Sequence, residues 1–226
     1  MSTVLVTGCD RGIGRAICVQ LRDRGEQVVA ACLGDPPDLS DSGIRVEPHI
    51  DVTRDEPVND LAHRLETDGV TLDWLISNAG VLGVDELGTI DFDEVRRQFD
   101  INAVGPLRVV QALAGRLKAG SKVGIITSRV GSLSDNGSGG MYAYRASKAA
   151  ANMVGLNLHH DLKARGIAVL MLHPGMVATD LTKDFPRDLS WIDPDEAAAG
   201  LIQNMDELTL ETAGRFRHSN GEYLPW

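Results

Sequence analysis

Three features that would each indicate a particular class of protein are missing from this sequence. Its three cysteines, Cys9, Cys18 and Cys32, form no CxxC pair and lie near no histidine cluster, which argues against a metal site or a disulfide framework. No apolar run is long enough to cross a bilayer, and Met1 does not lead into the basic region and apolar stretch of a signal peptide. We therefore expect a cytoplasmic protein with reduced thiols.

The sequence also has fewer basic than acidic residues. The chain has 22 Lys and Arg against 32 Asp and Glu, a formal net charge of -10 and a pI of about 5.0. This excess of acid disfavours nonspecific binding to nucleic acids or anionic membranes, although a local site could still hold one anionic small molecule. The length of 226 residues predicts a single domain, 1–226, with a sizeable core.

What the sequence does contain is a regular alternation of apolar runs and helical periodicity. Strands are predicted at Thr3–Thr7, 27–33, 44–50, Leu72–Ser77, 123–127, 167–172 and about 215–218. Helices are predicted at 12–24, from near Arg54, from Asp91 to Lys118, from Tyr144 to about Arg165 and at about 194–208. The alternation predicts an α/β fold with a doubly wound parallel sheet of about seven strands and helices on both faces.

The first join between strand and helix reads Thr7-Gly-Cys-Asp-Arg-Gly-Ile-Gly14. Gly8, Gly12 and Gly14 lack the β-carbons that would keep a pyrophosphate away from the backbone and the helix N-terminus. Tight turns also use glycine, but a strand before and a helix after the cluster favour a phosphate-binding loop. In this loop the helix dipole could also lower the pKa of the Cys9 thiol and make it reactive.

The end of the second strand is where a dinucleotide fold meets the adenosine ribose. An acid there selects the free 2′-hydroxyl of NAD, and a base selects the 2′-phosphate of NADP. This chain has Cys32 and Leu33 at those positions, with Asp35 slightly later. Arg11 in the glycine loop is a nearby cation and slightly favours NADP(H), while NAD(H) stays possible.

Tyr144 and Lys148 lie four residues apart at the head of an alanine-rich helix, so their side chains share a face. A tyrosine titrates near ~10, and a neighbouring cation favours its phenolate. Lys148 could therefore lower the pKa of Tyr144 and adapt it to general acid/base catalysis. The alternative is an ordinary helix in which the tyrosine packs and the lysine is solvated.

Small or polar residues follow the other strands at their carboxyl ends, which in a parallel sheet meet at one edge. These residues are Asp51 and Val52, Asn78, Ala79 and Gly80, Ser128, and Pro174, Gly175, Val177 and Thr179. Together with the glycine loop and Tyr144 they predict one crevice. Two plainer explanations stay open, namely that Asp51 or Thr53 caps the next helix and that Asn102, inside a predicted helix, is exposed to solvent.

In their order and intervals these motifs resemble the short-chain dehydrogenase/reductase family, and the resemblance covers essentially the whole chain. The segments 147–153 and 221–226 are most similar to its compact carbonyl-reductase and C-factor-like branch. The resemblance implies a Rossmann-type fold and an NAD(P)-dependent oxidoreductase that moves a hydride between nicotinamide and a ketone, aldehyde or secondary alcohol. The alternative that it also suggests is an NAD(P)-binding sensor or signalling protein of the C-factor type.

The resemblance also implies roles for single residues. Tyr144 is the expected general acid or base, Lys148 lowers its pKa and binds the nicotinamide ribose, and Ser128 binds the carbonyl oxygen. Asn102 is expected to hold a water linked to Lys148. Cofactor contacts are implied at the following positions: Gly8, Arg11, Gly12, Ile13, Gly14, Cys32, Leu33, Asp51, Val52, Asn78, Ala79, Gly80, Tyr144, Lys148, Pro174, Gly175, Val177 and Thr179.

Two further expectations follow from the resemblance. The substrate lid, between Thr179 and Pro194, is short and carries Phe185, Pro186 and Trp191, which suggests an open pocket. The helices from Asp91 to Lys118 and from Tyr144 to Arg165 are expected to form the contacts of a homodimer or homotetramer.

Overall fold

The computed structural model describes residues 1–186 and 190–226. The strands are β1 Thr3–Thr7, β2 Gln27–Ala31, β3 Arg45–Glu47, β4 Leu72–Ser77, β5 Leu117–Ile126, β6 Ala168–His173 and β7 Phe216–His218. The helices are α1 Gly12–Asp23, α2 Pro37–Ser40, α3 Asp55–Thr67, α4 Phe92–Phe99, α5 Gly105–Leu113, α6 Tyr142–Lys163 and α7 Pro194–Glu207. The part of the protein that these ranges cover includes no helix of the length and apolarity needed to cross a membrane.

All seven strands form one parallel sheet in the order β3-β2-β1-β4-β5-β6-β7. The chain runs outward from β1 to β3 on one side and then returns to place β4 on the other side of β1. A crevice opens at the carboxyl ends of β1 and β4, where the order reverses, and such a switch point is where open α/β sheets bind ligands. The predicted Rossmann-type sheet is confirmed.

The sheet is covered on both faces because its strands are apolar on both sides. In β1, Val4 and Val6 pack into a core with α1 and α7, whereas Leu5 faces the second core with α3, α5 and α6. Successive side chains of a strand point to opposite faces, so one short strand serves both cores. This packing fixes the edge at which the strand ends present their loops.

Several predicted boundaries shift. The strands β2 and β3 are shorter than 27–33 and 44–50, and the predicted loop after β2 contains the short helix α2. The lid predicted between Thr179 and Pro194 falls partly on residues 187–189, which lie outside the described residues. On the described part of the lid, the Trp191 indole N–H donates to the Pro186 carbonyl at 3.0 Å.

The single helix predicted from Asp91 to Lys118 is wrong. The structure has α4, one π-helical turn at Asp100–Val104 and then α5, and Leu117 already begins β5. The physical reason is Pro106, which has no N–H to donate to the carbonyl of Asn102. Gly105 N–H instead reaches back to the carbonyl of Asp100, the longer spacing of a π-helix, and such turns often mark functional sites.

Candidate active site

A cavity of about 800 Å³ lies at the carboxyl edge of the sheet. Its walls come from the loops after β1, β2, β3, β4, β5 and β6 and from the first turns of α6. Fourteen of the predicted cofactor contacts line it: Gly8, Arg11, Gly12, Ile13, Leu33, Asp51, Val52, Asn78, Ala79, Gly80, Tyr144, Lys148, Pro174 and Thr179. The topology therefore brings together motifs that are far apart in the sequence.

The glycine loop is packed so closely at Gly8 and Gly14 that a side chain can replace neither glycine. Gly8 has φ +70°, and a β-carbon there would lie 2.7 Å from the Ala79 Cα. A β-carbon on Gly14 would lie 2.3 Å from the Gly8 carbonyl oxygen, so Gly14 supports the loop from behind. The Asn78 amide donates to the carbonyls of Thr7 and Gly8 at 3.0 Å each. The loop is thus fixed as a cradle with its backbone exposed to the cavity.

The part of the cavity at the end of β2 differs from what the sequence predicted. Cys32 is fully buried in the core, whereas the neighbouring Leu33 is exposed and lines the cavity. Asp10, which the sequence analysis passed over, accepts from the N–H of Leu33 at 3.0 Å and of Gly34 at 2.6 Å. The Arg11 guanidinium pairs with Asp180 at 2.9 Å. The position of Asp10 two residues after Gly8 is the sequence signal that could have identified it.

Asp51 lies on the cavity wall next to Val52. Its carboxylate accepts from the N–H of Thr53 at 2.9 Å and from the Thr53 hydroxyl at 2.7 Å. Arg54 is the N-cap residue of α3, so the idea that Asp51 or Thr53 caps that helix is not supported. Asp51 instead closes a tight turn that holds Val52 against the cavity.

The four predicted catalytic side chains meet at the opposite end of the cavity. Tyr144 and Lys148 lie in the first turns of α6, with the Lys148 ammonium 5.8 Å from the centre of the Tyr144 ring. The Ser128 side chain, just after β5, lies close enough to Tyr144 to lower the pKa of its phenol. The Lys148 ammonium donates to the Ile126 carbonyl at 3.1 Å. Tyr144 is only 8% exposed and Lys148 only 4%, so the solvated lysine of an ordinary helix is excluded.

Burial shifts the pKa values of this pair. Loss of water raises the pKa of Tyr144 to about 12, and the neighbouring Ser128 side chain opposes part of that rise. Burial also lowers the pKa of Lys148 to about 8. Desolvation of the phenol is the main cause of the raised pKa, and it favours the phenol form, which can donate a proton as a general acid. The lowering of the Tyr144 pKa by Lys148 remains a prediction.

Asn102 sits in the π-helical turn and is 1% exposed, which rules out the solvent-exposed alternative. Its amide oxygen accepts from the Val81 N–H at 2.9 Å, and its amide N–H donates to the Val81 carbonyl at 2.9 Å and to the Ser147 hydroxyl at 3.0 Å. A β-carbon on Gly80 would lie 3.2 Å from the Asn102 oxygen and 3.5 Å from the Lys148 nitrogen. Asn102 therefore ties the loop after β4 to α6 beside Lys148.

Asp85 is a second residue that the sequence analysis missed. Its carboxylate accepts from the N–H of Tyr142 and, at 2.9 Å, from the N–H of Ala143 at the start of α6. A carboxylate on the first N–H groups of a helix satisfies unpaired donors and favours the helix dipole. Asp85 thereby anchors the turn that carries Tyr144. The signal was absent locally because the cap comes from a loop that is distant in sequence.

Two residues of the loop after β6 lie behind the cavity wall although they were predicted to contact the cofactor. Gly175 has φ +95° and packs against His218 and Ile192, and Val177 is buried. Their neighbours Pro174 and Thr179 do line the cavity. Gly175 allows the sharp turn that brings these two residues to the wall.

The reactive thiol predicted at Cys9 is also wrong. Cys9 is fully buried, and its sulfur lies 3.3 Å from that of Cys18 in the core beneath the glycine loop. Burial raises the pKa of the Cys9 thiol well above its ordinary value, with bonds to Cys18 and Cys32 adding to the rise. Desolvation thus outweighs the helix dipole, and Cys9 acts as a small apolar core residue.

Comparison with known proteins adds independent evidence. The family model for short chain dehydrogenases matches residues 2–190. The chain is 62% identical over its whole length to the whole of 1-hydroxy-2-glutathionyl-2-methyl-3-butene dehydrogenase from Rhodococcus sp. strain AD45. It is 42% identical to C-signal of Myxococcus xanthus over 158 residues, 69% of this chain and 93% of C-signal. An NADPH-bound carbonyl reductase from chicken fatty liver aligns over 100% of this chain and 99% of its own, with a TM-score of 0.91 and 26% identity.

Proposed function

The chain belongs to the short-chain dehydrogenase family, and on that premise we propose that it oxidises a primary alcohol that carries a glutathione thioether. Its general activity is that of an NAD(P)-dependent oxidoreductase. The observation that carries the finer proposal is the 62% identity, over both complete chains, to the Rhodococcus dehydrogenase. The name of that relative places a hydroxyl on C1 and a glutathionyl group on C2, so oxidation at C1 yields an aldehyde.

The geometry of the cradle supports a dinucleotide cofactor in the cavity. Gly8 lines the cavity and, like Gly14 behind it, leaves no room for a β-carbon, so the backbone of the loop lies open to a pyrophosphate. Leu33 and Asp51 line the end that we assign to the adenosine, whereas Lys148 and Pro174 line the end that we assign to the nicotinamide ribose. When bound, the nicotinamide supplies the acceptor or donor of the hydride.

The proposed proton chemistry belongs to Tyr144 and Ser128. The Ser128 and Tyr144 side chains are neighbours, so a substrate oxygen that contacts both hydroxyls is held at a fixed point. During carbonyl reduction the Tyr144 phenol donates its proton to the developing alkoxide and becomes a phenolate. During alcohol oxidation Tyr144 starts as the phenolate, whose oxygen accepts the proton of the alcohol. When the Lys148 amine is protonated, it supplies positive charge beside the phenol. Asn102 positions the loop after β4 next to Lys148. The water that Asn102 is expected to hold remains a prediction.

The proposal includes both nicotinamide cofactors. Arg11 on the cavity wall supports NADP(H), as do the NADP(H)-bound structures among the similar proteins. Asp10, in the same loop, supports NAD(H). The balance between these two side chains decides the preference.

We also propose that the protein is a single domain, forms a homodimer or homotetramer and works in the cytoplasm. Four exposed apolar side chains lie on or beside α4, α5 and α6, as a helix-mediated contact requires: Phe92, Val104, Leu107 and Met153. The predicted contact therefore keeps α6 but replaces the long helix by α4 and α5. Three free, buried cysteines support a reducing compartment.

The alternative function is an NAD(P)-binding sensor or signalling protein, which the similarity to C-signal supports. The arrangement of Ser128, Tyr144 and Lys148 favours the enzyme, since a sensor needs the cofactor site but not a buried phenol beside a substrate position.

An activity assay with purified protein tests the proposal. The substrates are the 1-hydroxy-2-glutathionyl alcohol and the matched alcohol with a methyl thioether in place of glutathione, each with NAD and with NADP. We expect nicotinamide reduction with the glutathionyl alcohol and at least about tenfold lower kcat/KM with the methyl analogue. Equal rates would contradict the substrate proposal. Cofactor binding without turnover of either alcohol or of a carbonyl panel would favour the sensor.

A further inference from the structure

The carboxylate of Asp10 occupies the place where the glycine loop meets the end of β2. One oxygen accepts from the Leu33 N–H at 3.0 Å and the other from the Gly34 N–H at 2.6 Å. A β-carbon added to Gly34 would lie 3.0 Å from Oδ1, the Asp10 oxygen that accepts from the Gly34 N–H, so the fit is close. Asp10 and Gly34 both line the cavity.

These two N–H groups are the donors that a 2′-phosphate would need. Cys32 and Leu33 bring no cation to the end of β2, and Cys32 is buried in the core. The backbone of Leu33 and Gly34 is therefore what this strand end offers to an anion. Both donors are already satisfied by the Asp10 carboxylate, whose negative charge lies in the same place.

The arginines closest to this point along the chain are paired with acids. Arg11 bonds to Asp180 at 2.9 Å, and Arg15 bonds to Asp38 in α2. Asp35 adds another exposed carboxylate to the loop after β2. The charges of both arginines are thus offset locally, whereas the Asp10 carboxylate is held, among the residues that the structure describes, by two backbone N–H groups.

We infer that Asp10 makes this enzyme select NAD(H) over NADP(H), by repelling a 2′-phosphate and accepting a hydrogen bond from a free 2′-hydroxyl. A carboxylate has about four lone-pair sites, so each oxygen that binds an N–H keeps one for a hydroxyl donor. This inference rests on the proposed function only in that the cavity binds a nicotinamide dinucleotide. It reverses the slight preference for NADP(H) that Arg11 gave in the sequence.

Fluorescence titration with NADH and NADPH tests this inference without any substrate. We expect wild type to bind NADH at least about tenfold more tightly, because like charges in contact disfavour binding. Asp10→Asn removes the charge and should reduce this ratio about tenfold, mainly by tighter NADPH binding. Asp180→Asn, which releases Arg11, should change the ratio in the same direction. Asp41→Asn is the matched control, since it removes one exposed acid at the end of α2 and should leave the ratio unchanged.

The outcomes separate this inference from the proposed function. Equal affinity of wild type for NADH and NADPH, or an equal loss of both affinities in Asp10→Asn, overturns the role of Asp10 in cofactor selection. Asp10 would then serve only to hold the N–H groups of Leu33 and Gly34. Absence of binding by either cofactor overturns the dinucleotide site itself. If Asp10→Asn does not fold, as judged by thermal unfolding, Asp10→Ser keeps one hydroxyl cap without the charge and is titrated in its place.

Discussion

The catalytic end of the cavity is built from buried side chains, whereas the adenosine end is built from backbone groups and exposed ion pairs. Asn102, Tyr144 and Lys148 are all less than 10% exposed. At the other end, the side chains of Arg11 and Asp180 are 77% and 65% exposed. The two ends share one cavity but differ in how strongly water screens their charges.

This difference decides which property is fixed and which is adjustable. Burial shifts the pKa values of Tyr144 and Lys148 in opposite directions, so a change at either residue alters the chemistry and the folding energy together. An exposed pair such as Arg11 and Asp180 contributes about 0–1 kcal/mol, so the chain can gain or lose it at little cost. The proposed proton transfer therefore depends on buried residues of the core, whereas the proposed cofactor preference depends on a few exposed, replaceable charges.

The largest effect is expected for Tyr144→Phe, which removes the proposed proton donor and little else. We expect kcat/KM to fall by about a thousandfold, within the range for loss of a general acid. NADH affinity should stay within about twofold, because the cradle that we assign to the pyrophosphate lies at the other end. Tyr142→Phe, on the same helix but 42% exposed, is the matched control and should keep full activity. Unchanged turnover of Tyr144→Phe would show that the mechanism is wrong.

The next effect concerns the cradle, through Gly8→Ala. The new β-carbon meets the Ala79 Cα at 2.7 Å and also strains a backbone with φ +70°. We expect the free energy of unfolding to fall by about 2–4 kcal/mol and NADH affinity to fall at least about tenfold.

Gly25→Ala separates the two causes. Gly25 also has a positive φ, +84°, but a β-carbon there meets open space within the described part of the chain. In Gly25→Ala, backbone strain alone should lower the free energy of unfolding by about 1 kcal/mol and leave NADH binding unchanged. Chemical denaturation and fluorescence titration of both variants measure the difference, and equal losses would exclude the close approach to Ala79 as the reason for glycine at position 8.

The smallest effect is a pH dependence of stability from Lys148. Its pKa of about 8 in the folded state is below the ordinary value of 10.5, so the folded state binds fewer protons between these values. Stability should therefore rise as the pH increases from about 8 to 10, before the raised pKa of Tyr144 acts in the opposite sense. The cost of charging the buried lysine at neutral pH is on the order of 1–3 kcal/mol.

Lys148→Met removes this cost while keeping the length of the side chain. We expect the variant to unfold at a higher temperature at pH 7 and to lose activity. Taking the difference in unfolding free energy between wild type and variant cancels the effect of other titrating groups. This difference should shrink as the pH increases to 10. A constant difference across this range would mean that Lys148 is not desolvated as the structure shows.

The sequence was sufficient wherever a signal is local. The alternation of apolar runs predicts the sheet because burial on both faces requires it, and the strand β4 and the start of α1 fall where they were predicted. The glycine loop and the spacing of Tyr144 and Lys148 are likewise local patterns with one physical meaning each.

What the sequence could not predict depends on contacts between distant residues. Asp85 caps α6 from another loop, and Pro106 together with Asn102 turns a predicted long helix into two helices with a π-helical turn between them. These arrangements are decided by which backbone groups remain unpaired after the chain has packed.

The sequence by itself determined the fold, the crevice and most of the residues that line it, because periodicity and strand ends are properties of neighbouring residues. Only the tertiary structure decided the electrostatics. Tyr144 becomes a weaker acid, the Cys9 thiol is hidden, and Asp10 rather than Arg11 faces the end of β2. The physical reason is that desolvation and pairing depend on which groups surround a charge in space, and residues far apart in the sequence provide those groups.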